Sequence, residues 1–370
     1  MKKLLLISAL IMGNSLFGQT NFYKQYSSNG YDYAEGVDIL STGEILVTGS
    51  SSSFVNAPSQ MYILKLSAQG DWISAANFGG IEADGGKRIK VLADDSYFVG
   101  GYTQSIDSTN YDMAVWYFNV NGELQWTKAY GTLAYDRLLD MTLTDEEGLI
   151  LIGETYNTVD GFADALIIRI EHNGDEVWRN QIEKPKDNRS NAIKYLVNDS
   201  YLMVGEIYDA QADRFNSTVT KLDGITGAVE QEWEFSSSTT CKLNDFSFFD
   251  PNIIYATGEY INEDSVQGAT WYRINLTTGL LETEILNESN MDARGVGITK
   301  FDNELVAVVT HNGQYSHGLW DIDFHKCAEP FYWVEGLVGL NHLSNQVFGQ
   351  IVTYVDNGFI AVGSNDNWGS

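Results

Sequence analysis

The 370-residue chain carries 50 Asp and Glu against 22 Lys and Arg, a formal net charge of −28. A surface of that sign repels phosphate backbones and makes nucleic acid a poor partner. Two cysteines, Cys241 and Cys327, are too few for a disulfide-dense fold or a cysteine-rich zinc site.

The chain opens with Met1-Lys2-Lys3, an apolar run from Leu4 to Met12 and a small-residue exit, Gly13 to Gly18. This is the pattern of a secretory signal peptide over 1–18. The apolar run is shorter than the ~20 residues that span a bilayer. Cleavage after Gly18 would leave one domain, 19–370, with no transmembrane segment and a net charge of about −30. No Cys stands near the cleavage point to take a lipid.

From Ala34 the sequence settles into a unit. Ala34–Leu40 is a short apolar-rich strand, and Ser41-Thr42-Gly43 is a turn. Glu44–Gly49 is a nearly continuous apolar strand, as expected for one buried on both faces. Ser50–Gln60 is a polar loop, Met61–Leu66 a third strand, Ala68–Gly70 a turn and Trp72–Phe78 a fourth strand. Gly79-Gly80 leads into the next unit.

The unit then repeats. Gly49, Gly101, Gly153, Gly205, Gly258, Thr310 and Gly363 follow one another at steps of 52 or 53 residues. Lys65, Tyr117, Arg169, Lys221, Arg273 and His325 keep the same beat, as do Asp32, Asp84, Asp136, Asn188, Thr240 and Asp292. A period near 50 built from four hairpin-linked strands predicts an all-β fold: a seven-bladed β-propeller with four-stranded antiparallel blades. No 3.6-residue periodicity supports a helical solenoid. Trp126, Trp178 and Trp233 recur in the fourth strands and predict packing between neighbouring blades.

Tyr23-Lys24-Gln25-Tyr26 matches Thr127-Lys128-Ala129-Tyr130, so the N-terminal strand is expected as the outer strand of the last blade. That removes a free sheet edge. The third strand of this blade should fall beyond Ser370, however, so the blade reads as incomplete. Either the chain is cut short, or the blade is rearranged, or a partner inserts a strand.

Alternating strands fix two faces. Turns on one face are short and rich in Asp, Asn and Gly, as at Asp94–Ser96 and Asn198-Asp199. Loops on the other run to about ten residues: Ser50–Gln60, Tyr102–Tyr111, Glu154–Ala163, Glu206–Phe215, Glu259–Gln267 and His311–His317. Function on a rigid scaffold usually sits in such loops. The candidate binding residues are Tyr102, Asp107, Tyr111, Tyr156, Asp160, Tyr208, Asp209, Tyr260 and Tyr315. Asp32, Asp84, Asp136 and Asp292 enter the innermost strands on this face. They are weak metal candidates, with calcium the cation that oxygen ligands suit, or they tie blades together through backbone N–H groups. Cys241 and Cys327 fall on opposite faces, against a disulfide. No G-x-S-x-G, H-E-x-x-H or P-loop is present, and no cofactor motif.

Phe78-Gly79-Gly80 to Asp84, Leu46–Gly49, Asn121-Gly122 to Trp126 and Asn173-Gly174 to Trp178 resemble the units of extracytoplasmic seven-bladed propeller proteins of the Bacteroidota. The resemblance covers about residues 21–364. Leu222–Gly227 and Ile274–Gly279 also resemble quinoprotein-type blades. The resemblance implies export to the periplasm or cell envelope rather than release. It also implies association with outer-membrane or type IX secretion machinery. The asymmetric loop lengths, with no catalytic constellation in the sequence, make the leading expectation a non-catalytic scaffold that binds a protein partner through its long-loop face. The alternative is a carbohydrate-binding or carbohydrate-active propeller that uses Tyr and carboxylates on that same face.

Overall fold

The computed structural model describes residues 3–8, 23–26 and 30–366, apart from 54–56, 107–109, 157–160, 237–238, 263–264, 266, 286–292, 302–303, 312–320, 329–331, 341–344 and 355–357. Among the described residues every regular element is a strand, and no helix is long and apolar enough to cross a membrane. Seven four-stranded antiparallel sheets make the seven blades. Blade 1 is Asp32–Ile39, Ile45–Ser51, Gln60–Leu66 and Trp72–Phe78. Blades 2 to 6 repeat this order from Asp84, Asp136, Asn188, Thr240 and Ala293.

Burial follows the sequence pattern. The second and third strands, such as Leu149–Tyr156 and Ala163–Ile170, are buried almost throughout because a blade covers each face. Fourth strands such as Val229–Phe235 are mostly exposed. Each pair of neighbouring blades encloses its own apolar cluster. Ile150, Ile152 and Ile167 of blade 3, for example, meet Ile193, Tyr201 and Met203 of blade 4. Val37, Val47 and Tyr62 of blade 1 meet Ile360 and Val362 of blade 7, which closes the ring.

The repeated glycine has a local cause. Every innermost strand carries a β-bulge at the same place, for example between Ser190 and Ala192 in blade 4. Beside the bulge a first-strand carbonyl lies over the second strand. A Cβ on Gly205 would stand 1.9 Å from Arg189 O, and one on Gly49 1.7 Å from Tyr33 O. In blades 1 to 5 only a residue without Cβ fits there. Blade 6 departs from the 52-residue beat: Val309, not Thr310, faces the pre-bulge residue, Gly295.

The tryptophans also do what their period predicted. Trp126, Trp178 and Trp233 lie against the positive-φ turn glycines of the following blade, Gly174, Gly227 and Gly279. Trp178 Nε1 donates to Gly224 O at 2.9 Å. The N-terminal outer strand repeats the contacts of its match. Tyr130 Oη donates to Gly174 O, and Tyr26 Oη donates to Gly70 O. Lys128 pairs with Asp175 at 2.7 Å, and Lys24 with Asp71 at 2.9 Å.

Of the three alternatives for the final blade, the structure has the rearranged closure. Blade 7 has the order Tyr23–Tyr26, Lys3–Ser8, Gly358–Asp366, Asn345–Tyr354. Lys3–Ser8, from the segment that reads as a leader, takes the third-strand place. It pairs antiparallel on both sides, with Leu5 opposite Gln25 and Gly363.

Candidate functional site

The candidate site is the long-loop face, where the innermost strands begin and the channel opens. Its loops are shorter than the sequence implied. Second and third strands continue upward as hairpins, so Tyr208 pairs with Phe215 and Tyr156 with Ala163. Glu154, Glu206 and Glu259, read as loop residues, are therefore strand residues. The first two are almost fully buried.

A charged chain results. Each glutamate sits between a base of its own blade and the equivalent base of the next. Glu154 takes Arg137 at 2.7 Å and Arg189 at 2.5 Å. Glu206 lies 3.6 Å from Arg189 and 3.8 Å from Lys242, and accepts a hydrogen bond from Asn191 Nδ2. Glu259 faces Lys242 at 4.0 Å and Arg294 at 3.4 Å. Four bases thus alternate with three acids across blades 3 to 6. Arg137 and Arg294, at the two ends, are about half exposed. Burial pushes the Glu206 carboxyl above its ordinary range, against the pull of Lys242, Asn191 and Arg189. Lys242 also stands 4.2 Å from the Phe215 ring centroid.

In blades 1 and 2 neither charge is kept: the equivalent pairs are Tyr33 with Ser50 and Gly85 with Tyr102. Tyr102 replaces the glutamate and lies over Gly85, whose missing side chain makes room for the ring. From Tyr102 a file of rings crosses the face. Tyr102 to Tyr111 is 5.5 Å between centroids, Tyr111 to Tyr135 is 5.3 Å, and Tyr135 to Tyr156 is 5.6 Å. All are edge-on or tilted, as aromatic quadrupoles favour. Tyr156 Oη donates to Glu154 Oε1 at 3.5 Å and joins the file to the charged chain. Ile81 and Leu133, one repeat apart in the blade links, are 77% and 95% exposed.

Two clefts flank the file. One of about 330 Å³ lies between Tyr31, Tyr33, Ser50, Ser59 and Tyr102. The other, of about 460 Å³, is lined by Phe162, Lys186, Asp187, Tyr208 and Asp213. Lys186 stands 3.9 Å above the Phe162 ring.

Of the sequence candidates, Tyr102, Tyr111 and Tyr156 come together. Tyr208 belongs to the second cleft, where its hydroxyl bonds Asp213. Tyr260 lies over Gly268 in blade 5. Asp209 accepts the N–H groups of Gln211 and Ala212 within a turn, and these donors lower its proton affinity. Asp107, Asp160, Tyr315 and Asp292 lie outside the described residues. Asp84 accepts from Gly80 N at 2.7 Å and Ser105 Oγ at 2.8 Å. Asp136 accepts from Thr132 N at 2.6 Å, and Asp32 from Ser51 Oγ. Asp84 and Asp136 fasten blade links, and Asp32 ties the first strand of blade 1 to the end of its second. Among the described residues no three His, Cys, Asp or Glu side chains gather as metal ligands, and Cys241 is a free, buried thiol.

Tyr135, Arg137, Arg189, Lys242 and Arg294 were missed in the sequence. The four bases lie 52 or 53 residues apart, and in blades 3 to 5 a glutamate follows each base by 17 residues. That double register was the available signal.

No family model matches the chain, and no curated protein is similar to it in sequence. Solved structures share the fold at low identity. An ulvan lyase, a polysaccharide lyase, aligns at TM-score 0.55 and 10% identity over 88% of this chain and 90% of that one. Its complex with -[GlcA(1-4)Rha3S]- aligns at 0.52 and 11% over 90% and 95%. Cobalt-substituted Synechocystis apocarotenoid oxygenase gives 0.49 and 12% over 84% and 71%. The leading expectation, a non-catalytic protein-binding scaffold, is overturned here. The wheel is shared with a polysaccharide lyase, so the fold gives no support to a non-catalytic scaffold.

Proposed function

We propose that this chain is a carbohydrate-binding propeller whose long-loop face holds an extended glycan. The observation that carries the reading is the tyrosine file Tyr102–Tyr111–Tyr135–Tyr156 running into the Arg137–Glu154–Arg189 chain. Sugars present apolar C–H faces that pack on aromatic rings, and hydroxyls that pair with fixed charged donors and acceptors. Clefts at both ends of the file extend the surface across blades 1 to 4. The fold also hosts a polysaccharide lyase.

Turnover is the second reading, favoured by Glu206. A buried carboxyl of raised proton affinity, beside an arginine and a lysine at the channel mouth, is equipped for proton exchange.

Affinity electrophoresis against a panel of neutral and acidic polysaccharides tests the proposal. At least one polysaccharide is expected to retard the wild type. Tyr111→Ala and Tyr135→Ala are each expected to weaken that retention by roughly tenfold, about 1.4 kcal/mol. Retention by no polysaccharide, or retention unchanged in both variants, would refute it. Reducing ends released from the retained polysaccharide would extend the reading to catalysis.

A further inference from the structure

The seams between blades are not equally filled. At the seam of blades 2 and 3, Phe98, Tyr117 and Trp126 stand in one row across the second, third and fourth strands of blade 2. His172, in the turn of blade 3, closes onto them. Ring centroids are 4.9 Å apart for Phe98 and Tyr117, 5.9 Å for Phe98 and Trp126, and 4.6 Å for Tyr117 and His172. At the seam of blades 3 and 4, Trp178 and Arg169 fill the same place, and both donate to Gly224 O.

One repeat earlier, at the seam of blades 1 and 2, none of these rings is present. Strand register puts Leu46, Lys65 and Ser74 where blade 2 has Phe98, Tyr117 and Trp126. Val120 stands in the turn where blade 3 has His172. Blade 4 carries its tryptophan, Trp233, two places further along the strand, and the residue there in blade 1 is Ala76. Lys65 is drawn to Glu44 at 2.8 Å. Gly122, the turn glycine of blade 2, therefore meets no indole. A Cβ on it would find only Tyr97 Oη within 4 Å, at 3.3 Å.

What is left is a cavity of about 140 Å³, lined by the substituted positions and by Ile63, Phe78 and Tyr97. An apolar cavity of roughly 150 Å³ takes a benzene-sized ring. Val120, at its mouth, is 60% exposed, so the cavity opens to solvent. One unused polar group reaches it. Tyr97 is buried, and its hydroxyl makes no hydrogen bond among the described residues. The matching hydroxyl in blade 4, on Tyr201, donates to Asp199 at 2.7 Å. In blade 2 the matching carboxylate, Asp95, is instead taken by Ser41 N and Oγ at 2.7 and 2.6 Å.

We propose that this seam binds a free aromatic molecule of indole size, with its ring in the place that Trp126 takes one blade on and its N–H group on Tyr97 Oη. The wheel itself shows what covers such a slot, because Trp126, Trp178 and Trp233 lie on the equivalent turn glycines Gly174, Gly227 and Gly279. The site sits at the short-turn end of the blades, beside the 94–96 turn. It is separate from the tyrosine file and stands whether or not the glycan reading holds.

Titration of the whole protein with indole, followed by calorimetry and by the melting temperature, tests it. Saturable binding at one site and a rise in melting temperature are expected. Ser74→Trp supplies the ring from the chain itself. It should melt above the wild type and weaken indole binding by at least about tenfold. Tyr97→Phe keeps the wall and removes the hydroxyl. It should weaken indole binding roughly threefold and leave benzothiophene, the same shape without an N–H, unchanged. No saturable binding, or equal indole affinity in wild type and Ser74→Trp, would overturn the proposal. So would a Ser74→Trp protein that melts below the wild type, because the seam would then have no room for a ring. Tighter binding of the tripeptide Gly-Trp-Gly than of indole would also overturn it, and would make the seam a docking place for a partner's side chain.

Discussion

Gly205→Val should yield no stably folded protein, and Gly205→Ala should lose at least roughly 4 kcal/mol of stability. The cause is backbone against backbone. The new Cβ would sit 1.9 Å from Arg189 O, where no side chain can move aside. Relief would require the bulge of the innermost strand to open. That strand carries Asn191 and Ile193, whose contacts to Leu243 O and Asp140 tie three blades together. Gly161→Ala is the control. Nothing lies within 4 Å of its Cβ, and its cost is the left-handed φ of +76°, about 1 kcal/mol. Urea unfolding of purified variants separates the two. Equal losses at Gly205 and Gly161 would show that backbone conformation alone, not the carbonyl overhead, explains the repeated glycine.

Glu154→Ala is expected to cost roughly 3 kcal/mol and to loosen the glycan surface as well. The carboxylate is fully buried and holds two guanidinium groups at 2.7 and 2.5 Å. Its removal leaves Arg189, four-fifths buried, with only the longer contacts to Glu206 and Asp187 at 3.6 and 3.7 Å. It also removes the acceptor of Tyr156, the last ring of the tyrosine file. Glu146→Ala supplies the comparison. That residue is 83% exposed, meets Arg169 at 3.5 Å, and should change stability by less than about 0.5 kcal/mol. Urea unfolding and polysaccharide retention, measured on the same preparations, check both halves. A Glu154→Ala protein as stable as Glu146→Ala would mean that the charged chain contributes nothing to the fold.

The wheel was readable because each blade solves the same packing problem with the same residues. A carbonyl over the second strand demands Gly49, Gly101, Gly153, Gly205 and Gly258. A turn glycine in the next blade accepts Trp126, Trp178 or Trp233. Such local steric rules leave a period in the sequence. The Asn198-Asp199 turn was equally legible, and both residues hold positive φ. The closing strand was not. Lys3–Ser8 pairs with strands at both ends of the chain, and an apolar run of that length reads locally as a leader.

The site was only half legible. Tyr102, Tyr111 and Tyr156 stood out as aromatic residues near long loops. Tyr135 did not, because it lies in a blade link and joins the file only through the curvature of the ring. Glu154 and Glu206 looked like solvated loop acids. They are buried strand residues because bases one blade on neutralise them, a relation visible only when two registers are read together.

One face of the wheel is expected to be the glycan surface. Hydrogen exchange, with and without an oligosaccharide cut from the retained polysaccharide, tests this most directly. Protection is expected in the segments around Tyr102, Tyr111, Tyr135 to Arg137 and Arg189. The opposite turns at 94–96, 145–148 and 198–199 should be unchanged. Protection confined to those opposite turns, or spread evenly over both faces, would contradict it.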